Sequence, residues 1–261
     1  MISMNGRHLG VPIVPLWRVN QMENKTNMYR LSISQWNPFA GCRHECIYCQ
    51  SSFQRQLKRW AKTNCPRCYD FVPHPHPERL GQSLPNTRYM QFIFTCSSGD
   101  IAFCDDTRYL EKIMDTIRQK PSKIFLIQSK DPKTFNRTVF PENVILGTTL
   151  ETNRDELAEA ISKAPKPSQR YKDFLDVRHD LKMVTVEPVM DFDMDVMVDW
   201  IENINPCMVW LGYDSGKNRL PEPKLEKVKT LHWELVRQGF TVILKTIREA
   251  WSQQEAGQEA P

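Results

Sequence analysis

No stretch of this 261-residue chain approaches the roughly 18 consecutive apolar residues that a membrane span requires. Its opening, MISMNGRHLGVPIVPLWRVN, lacks an unbroken apolar core and a small-residue cleavage site, so neither an anchor nor a secretory leader is expected. An excess of one charge sign is also missing. With 35 Lys plus Arg against 31 Asp plus Glu, the formal charge is +4, which excludes a polybasic arm or an acidic tail as the working part. There is no repeat at a fixed period, and the 18 prolines are scattered. Eight cysteines are too few and too unevenly spread for a disulfide-built secreted scaffold. A cytoplasmic, unanchored protein is therefore expected. Its length suits one or two domains of about 150 residues, or a single α/β barrel of about 250.

What is present is an alternation. Short runs rich in β-branched, aliphatic or aromatic residues (Tyr29 to Trp36, Tyr89 to Cys96, Lys123 to Ser129, Asn143 to Leu150, Leu181 to Val186, Cys207 to Tyr213, Phe240 to Lys245) are separated by amphipathic stretches. The stretches Cys46 to Lys62, Arg108 to Lys120, Asp131 to Arg137, Arg154 to Lys163, Met194 to Ile204 and Pro223 to Gln238 read as helices. Strand, loop and helix repeated this often predict a parallel sheet with helices outside, and runs apolar on both faces, such as Ile124 to Ile127, fit strands buried on both sides.

A doubly wound open sheet gives the same alternation, so the polar residues must discriminate. They gather at the C-terminal ends of many runs: Ser97 to Asp100, Gln128 to Lys130, Thr148 to Glu151, Glu187, Tyr213 to Ser215, and Lys245 with Thr246. An open sheet concentrates functional groups at one switch point, whereas a barrel collects them from a ring of strand ends. A partial or full (β/α) barrel spanning residues 29–251 is expected, after an N-terminal extension 1–28 and before a disordered tail 252–261. A proline-rich insertion occupies residues 64–87, between the first helix and the second strand.

Five cysteines lie between positions 42 and 68. Such clustering in a reducing compartment points to metal or redox chemistry. Cys42, Cys46 and Cys49 follow the first strand through the turn Asn37 to Gly41, and three thiolates so placed suit zinc or an iron-sulfur cluster. A structural zinc would need a fourth ligand from elsewhere; a cubane on three cysteines leaves one iron open. Buried thiols serving as small hydrophobes are the blander alternative.

The spacing Cys-x3-Cys-x2-Cys, with Tyr48 before the last cysteine, resembles the cluster motif of the radical S-adenosylmethionine (SAM) enzymes. Trp36-Asn37-Pro38, Gly41-Cys42, Cys65-Pro66-Arg67-Cys68, His76 to Leu80, Ser97 to Asp100 and Glu187-Pro188 together resemble a phage-associated branch of that superfamily, defined as a domain-of-unknown-function family. The resemblance runs from about Trp36 to Lys245. It implies a radical SAM-type barrel, a four-iron four-sulfur cluster on Cys42, Cys46 and Cys49, SAM on the fourth iron, and a reductant such as a flavodoxin or ferredoxin. By the same analogy Ser98, Gly99 and Asp100 receive the SAM amino group, with Tyr48, Lys130 and Glu187 as further cofactor contacts. Ser-Gly-Asp stands where the superfamily usually has Gly-Gly-Glu.

Each of these has a plainer reading. Asp100 and Glu187 can be capping or surface carboxylates, and Lys130 can be a solvated lysine. Cys65, Cys68, His74 and His76 offer two thiols and two imidazoles, a set compatible with tetrahedral zinc, or else free thiols beside a structural turn. Cys96, Cys104 and Cys207 read as packing residues. Arg55, Lys58, Arg59 and Lys62, with Arg67 beyond, form a basic stripe that either contacts phosphate or is a solvated face. Three functions follow: a radical SAM enzyme, with nucleic acid the first substrate class to test; a zinc-stabilised nucleic-acid-binding module without catalysis; or a barrel that binds the cluster and SAM only as a sensor.

Overall fold

Seven parallel strands lie side by side in the order in which the chain makes them. In the computed structural model, which describes residues 29–253, these are β1 (Ser32–Trp36), β4 (Phe92–Thr95), β5 (Phe125–Gln128), β6 (Val144–Thr149), β7 (Lys182–Val186), β8 (Met208–Gly212) and β9 (Val242–Lys245). Two short strands, β2 (Phe39–Ala40) and β3 (His74–Pro75), pair apart from them. A doubly wound sheet reverses its order at a switch point. This one never does, so every crossover runs the same way round and the helices cover one face only. The fold is a partial α/β barrel whose sheet ends at β1 and β9.

Curvature shows in what one side chain reaches. Tyr29, just before β1, packs against Phe92 and Phe94 of β4 and lies 4.8 Å from Trp210 of β8. Its hydroxyl is also 3.2 Å from Thr185 Oγ1 of β7. Contacts with β4, β7 and β8 from one tyrosine require a curled sheet. Alternation along the strands then makes two cores. Phe92, Phe94, Leu126, Ile145, Met183, Met208, Trp210 and Ile243 fill the concave side. Ile93, Ile127, Val184 and Leu211 face outward against the helices. Filling the concave side with large side chains near the N-terminal ends leaves only the C-terminal mouth for polar groups.

Helix α1 (Arg55–Asn64) buries only Ala61, against the insertion, and the helices against the outer core are α2 (Thr107–Arg118), α3 (Pro167–Leu175), α4 (Met194–Ile204) and α5 (Leu225–Arg237). Helix α2 starts where Asp106 accepts from the amides of Arg108 and Tyr109, and it buries Leu110, Ile113, Met114 and Ile117 at helical spacing. Helix α4 has the bounds expected from sequence, and ends where Asn205 turns left-handed at φ 50°.

Four expectations need correction. The stretch Cys46 to Lys62 is not one helix: Ile47–Cys49 runs into a π turn, Gln50–Gln54, before α1, and widened turns of this kind interrupt helices at functional sites. Asp131 to Arg137 is a 3₁₀ segment, Pro132–Arg137, started by Pro132 without a side-chain cap and stopped by extended Thr138. The helix expected to reach Lys163 ends at Glu159, because the following backbone bonds the cysteine loop instead. Ser252 and Gln253, expected as tail, complete a helical turn anchored by Trp251, whose indole donates to Gly216 O while Arg248 stacks over its ring. The proposed extension 1–28 and residues 254–261 of the tail lie outside the described residues.

Candidate functional site

The loop after β1 and the loop after β4 are locked together at the mouth. Gly41 N donates to Ser98 O at 2.9 Å, and Asp100 N donates back to Gly41 O at 3.1 Å. The approach demands glycine: a Cβ on Gly99 would lie 2.5 Å from Gly41 O, and one on Gly41 would lie 2.3 Å from Val72 backbone. Gly99→Ala should therefore force the two loops apart, and thermal unfolding should show a loss of about 1–3 kcal/mol. An unchanged Tm would mean the junction yields freely.

Asp100 is the knot. Its Oδ1 accepts from Ser129 Oγ at 2.6 Å and Ala102 N at 2.9 Å, and its Oδ2 accepts from His44 Nε2 at 3.0 Å and Lys130 N at 2.9 Å. Burial pushes its carboxyl up, but His44, Ser129 and Ala102 more than offset this and hold it below the usual carboxylate range. Both oxygens are thus engaged by the protein's own donors. Ser98 is buried beside it, with its amide donating to Asn37 Oδ1.

The cysteines follow at once. Ile47 N donates to Ile161 O, Lys163 N to His44 O, and Ser162 Oγ to His44 O, so the segment after β6 clamps the loop from the other side. Cys46 Sγ lies 3.1 Å from Ser162 Oγ and 3.3 Å from Lys130 Nζ. All three thiols are free; Cys42 lies in the field of Cys46 and Cys49, and Cys49 in that of Cys46. Burial, then Asp100, then Cys46 and Cys49 raise the Cys42 thiol. Burial and then Cys46 push Cys49 up to about 11.

Beneath them lies a buried charge network. Tyr48 Oη donates to Glu151 Oε1 at 2.7 Å, Lys130 contacts the same oxygen and Tyr48, and Arg170 from α3 sits 2.8 Å from Glu151 Oε2. Glu151 and Arg170 are each about 1% exposed. Burial opposes ionisation of Glu151, yet Arg170 and Lys130 drive its carboxyl well below the usual range. The reading of Lys130 as a solvated lysine is thereby corrected: its side chain is 11% exposed and paired. The reading of Glu187 as a surface carboxylate is corrected too, since it is buried across the mouth, ion-paired to Lys245 at 2.5 Å. Its Oε2 is buried without a hydrogen-bond partner, and burial raises its carboxyl against the pull of Lys245.

Of the residues singled out from sequence, Cys42, Cys46, Cys49, Tyr48, Ser98, Gly99, Asp100, Lys130 and Glu187 all lie around this mouth. Cys65, Cys68, His74 and His76 form a separate group, with one ligand atom from each within 4.8 Å of the others. Between the two groups is a cleft of about 310 Å³ lined in part by Cys42, Gln50, Gln54, Phe71 and Val72. Arg55, Lys58, Arg59, Lys62 and Arg67 are exposed. Cys96 and Cys104 pack in the outer core, and Cys207 lies at the opposite end of the barrel before β8. Sequence reading missed His44, Ser129, Glu151 and Arg170. Glu151 stands among the polar strand ends and could have been named from that position, and His44 lies inside the cysteine motif. Arg170 carries no such signal.

A family model described as protein of unknown function (DUF5131) matches residues 30–233. A search of curated proteins finds no match. Similar solved structures include Streptococcus suis SuiB bound to S-adenosylmethionine, at 11% identity and TM-score 0.47, covering 82% of this chain and 50% of that one. Another is a radical SAM methyltransferase from Sphaerobacter thermophilus, at 12% identity and TM-score 0.48, covering 80% of this chain and 64% of that one. The chain thus spans from half to just under two thirds of these two structures.

Proposed function

The chain belongs to the DUF5131 family, whose description assigns no activity, and from the chemistry of its site we propose that it is a radical SAM enzyme holding a four-iron four-sulfur cluster on Cys42, Cys46 and Cys49. The observation that carries this reading is that three free thiols share one loop at the mouth, Cys46 beside Lys130 and in the field felt by both Cys42 and Cys49. The donor set fits such a cluster. Thiolates are its usual ligands, and the side chains next to them are committed elsewhere: His44 donates to Asp100, whose oxygens are filled. Three cysteines with no uncommitted fourth ligand beside them among the described residues favour a cluster with one open iron over a closed tetrahedral zinc.

Held by these three cysteines with SAM bound, such a cluster would supply one-electron cleavage of the sulfonium and, through it, hydrogen-atom abstraction from substrate. The chain's residues then have distinct tasks. Lys130 places an ammonium beside Cys46 Sγ and tempers the charge of the thiolates. Glu187 offers an unpartnered buried oxygen to a hydroxyl or amine of the cofactor. Ser98 and Gly99 lie beside the cysteine loop, joined to it by Gly41 N donating to Ser98 O, and Ser98 would offer its hydroxyl to the cofactor. Asp100 acts as a positioning residue, joining His44 of the cysteine loop to Ser129 and Lys130 after β5. Tyr48 links the motif to Glu151. A flavodoxin or ferredoxin would deliver the electron, and the exposed stripe on α1 makes nucleic acid the first substrate class to test.

Reduced, oxygen-free protein incubated with SAM is expected to form 5'-deoxyadenosine and methionine in equal amounts. Protein that carries a full cluster yet forms none would sink the enzymatic reading. The second reading, a zinc-stabilised nucleic-acid-binding module, is favoured by the Cys65, Cys68, His74 and His76 group. It requires colourless protein containing zinc and no iron.

A further inference from the structure

We infer that Cys65, Cys68, His74 and His76 form a closed tetrahedral zinc site that fixes the 64–87 insertion against the backbone leading into Cys42. This site stands independently of whether the three-cysteine loop holds iron.

Distances carry the first step. Zinc sits about 2.3 Å from thiolate sulfur and about 2.0–2.1 Å from imidazole nitrogen, so tetrahedral angles separate sulfur from nitrogen by about 3.5 Å. Here Cys65 Sγ lies 3.3 Å from His74 Nε2, Cys68 Sγ 3.5 Å from His74 Nε2, and Cys68 Sγ 3.2 Å from His76 Nε2. A single ion can touch all four atoms with only small shifts.

The rings are prepared for it. His74 Nδ1–H donates to Val72 O at 2.7 Å, and His76 Nδ1–H donates to Glu78 Oε1 at 2.7 Å. Each ring therefore spends its proton on the outer nitrogen and presents a bare Nε2 lone pair to the sulfurs, the arrangement that orients metal-bound histidines. Two thiol protons could satisfy only two of the three close sulfur-nitrogen contacts. A cation at the centre satisfies all of them. Cys65 Sγ also accepts from Cys68 N at 3.4 Å, as a thiolate capping the turn Pro66–Tyr69 would.

Burial decides the type of site. Cys68, His74 and His76 are 2%, 4% and 6% exposed and Cys65 is half-buried, and four protein ligands fill a tetrahedral shell with no position left for water or substrate. Structural zinc sites are closed in this way, whereas catalytic ones keep a vacant position. Leu80 and Leu84 tie the end of the insertion to the outer core, but around the four ligands the apolar cluster is only Ala40, Ala61 and Cys68, with Cys65 beside it, too little to order residues 65–76 with their three prolines.

The consequence reaches the mouth through backbone. Ala40 pairs with His74 and Phe39 with Pro75, His76 N donates to Pro38 O, and Cys42 N donates to Phe71 O. The ligand segment is thus hydrogen-bonded to the residues on both sides of the Gly41 turn.

The test is metal content and X-ray absorption at the zinc edge on the full chain purified without oxygen. About one zinc per chain in a shell of two sulfurs and two nitrogens is expected, retained in Cys46→Ala, and reduced at least about tenfold in Cys68→Ser. Wild-type protein grown with ample zinc but lacking it would overturn the site. So would iron in its place, or a shell other than two sulfurs and two nitrogens. The wild-type spectrum decides the matter even if Cys68→Ser fails to fold.

Discussion

Alanine in place of Cys46 is expected to leave the protein colourless and to drop its iron from about four per chain to below about 0.5 after anaerobic purification. The size of the effect follows from the surroundings. Cys46 is 7% exposed, wedged between Ser162 and Lys130, and its loop is held from both sides by backbone hydrogen bonds. No spare thiol can step in. Cys65 and Cys68 are turned onto His74 and His76, Cys96 and Cys104 are packed against the outer core, and Cys207 sits at the far end of the barrel. Two thiolates cannot retain a cluster that already lacks its fourth protein ligand. Iron content by mass spectrometry checks this directly, with zinc in the same sample serving as an internal reference for folding around the second metal group. Equal iron in wild type and variant would show that the motif holds no cluster.

The second large effect is on stability. Arg170→Leu removes a guanidinium that lies 2.8 Å from Glu151 Oε2, with both side chains about 1% exposed. Breaking a buried pair by deleting one partner typically costs about 3–5 kcal/mol, because the remaining charge is left in a poor solvent. In a protein of this size that is a fall in Tm on the order of 10 °C. Lys130 and Tyr48 still hold Glu151, so the lower half of the range is expected first. The sign with pH is fixed by the depressed carboxyl of Glu151. Its ionised form stabilises the fold fully above the unfolded-state value of about 4.3, and this contribution is lost only as pH falls through the lower folded value. The deficit of Arg170→Leu relative to wild type should therefore be largest near pH 7 and shrink as pH falls, because Glu151 without Arg170 takes up a proton more readily in the variant while the wild-type pair stays ionised. Replacing Glu151 by Gln in the Arg170→Leu background should recover part of the loss, since the stranded charge is gone. Calorimetry on the four proteins measures all of this. An additive double variant would mean that the two groups do not interact.

How much of this could be read from residues alone depended on the length of the signal. The seven long strands and helix α4 stood out because apolar periodicity persisted over several residues and turn signals bounded it. The monotonic strand order was expected only from polar groups gathering at many strand ends, which is weak but physical: a curled sheet whose concave side is filled with Phe92, Met183 and Trp210 has nowhere else to put them. Pairing of Phe39–Ala40 with His74–Pro75 was illegible because a two-residue ladder, one residue of it proline, carries no alternation. Helix α3 was missed because Pro167 marks a start but little apolar stripe follows, and with it went Arg170. Asp100 shows the limit of motif reading. The family resemblance implied a cofactor contact and the plainer reading a capping carboxylate; the structure shows the cap, on Ala102 N, and adds a tie between the loops after β1, β4 and β5. Only the placement of His44 and Ser129 could reveal that.

The most direct test of the central claim is electron paramagnetic resonance of the chemically reduced, oxygen-free protein, recorded with and without SAM. An iron open to ligand predicts the signal of a reduced four-iron cluster whose g values shift when SAM is added. A cluster signal that SAM leaves unmoved, or protein that holds zinc and gives no such signal, would contradict it.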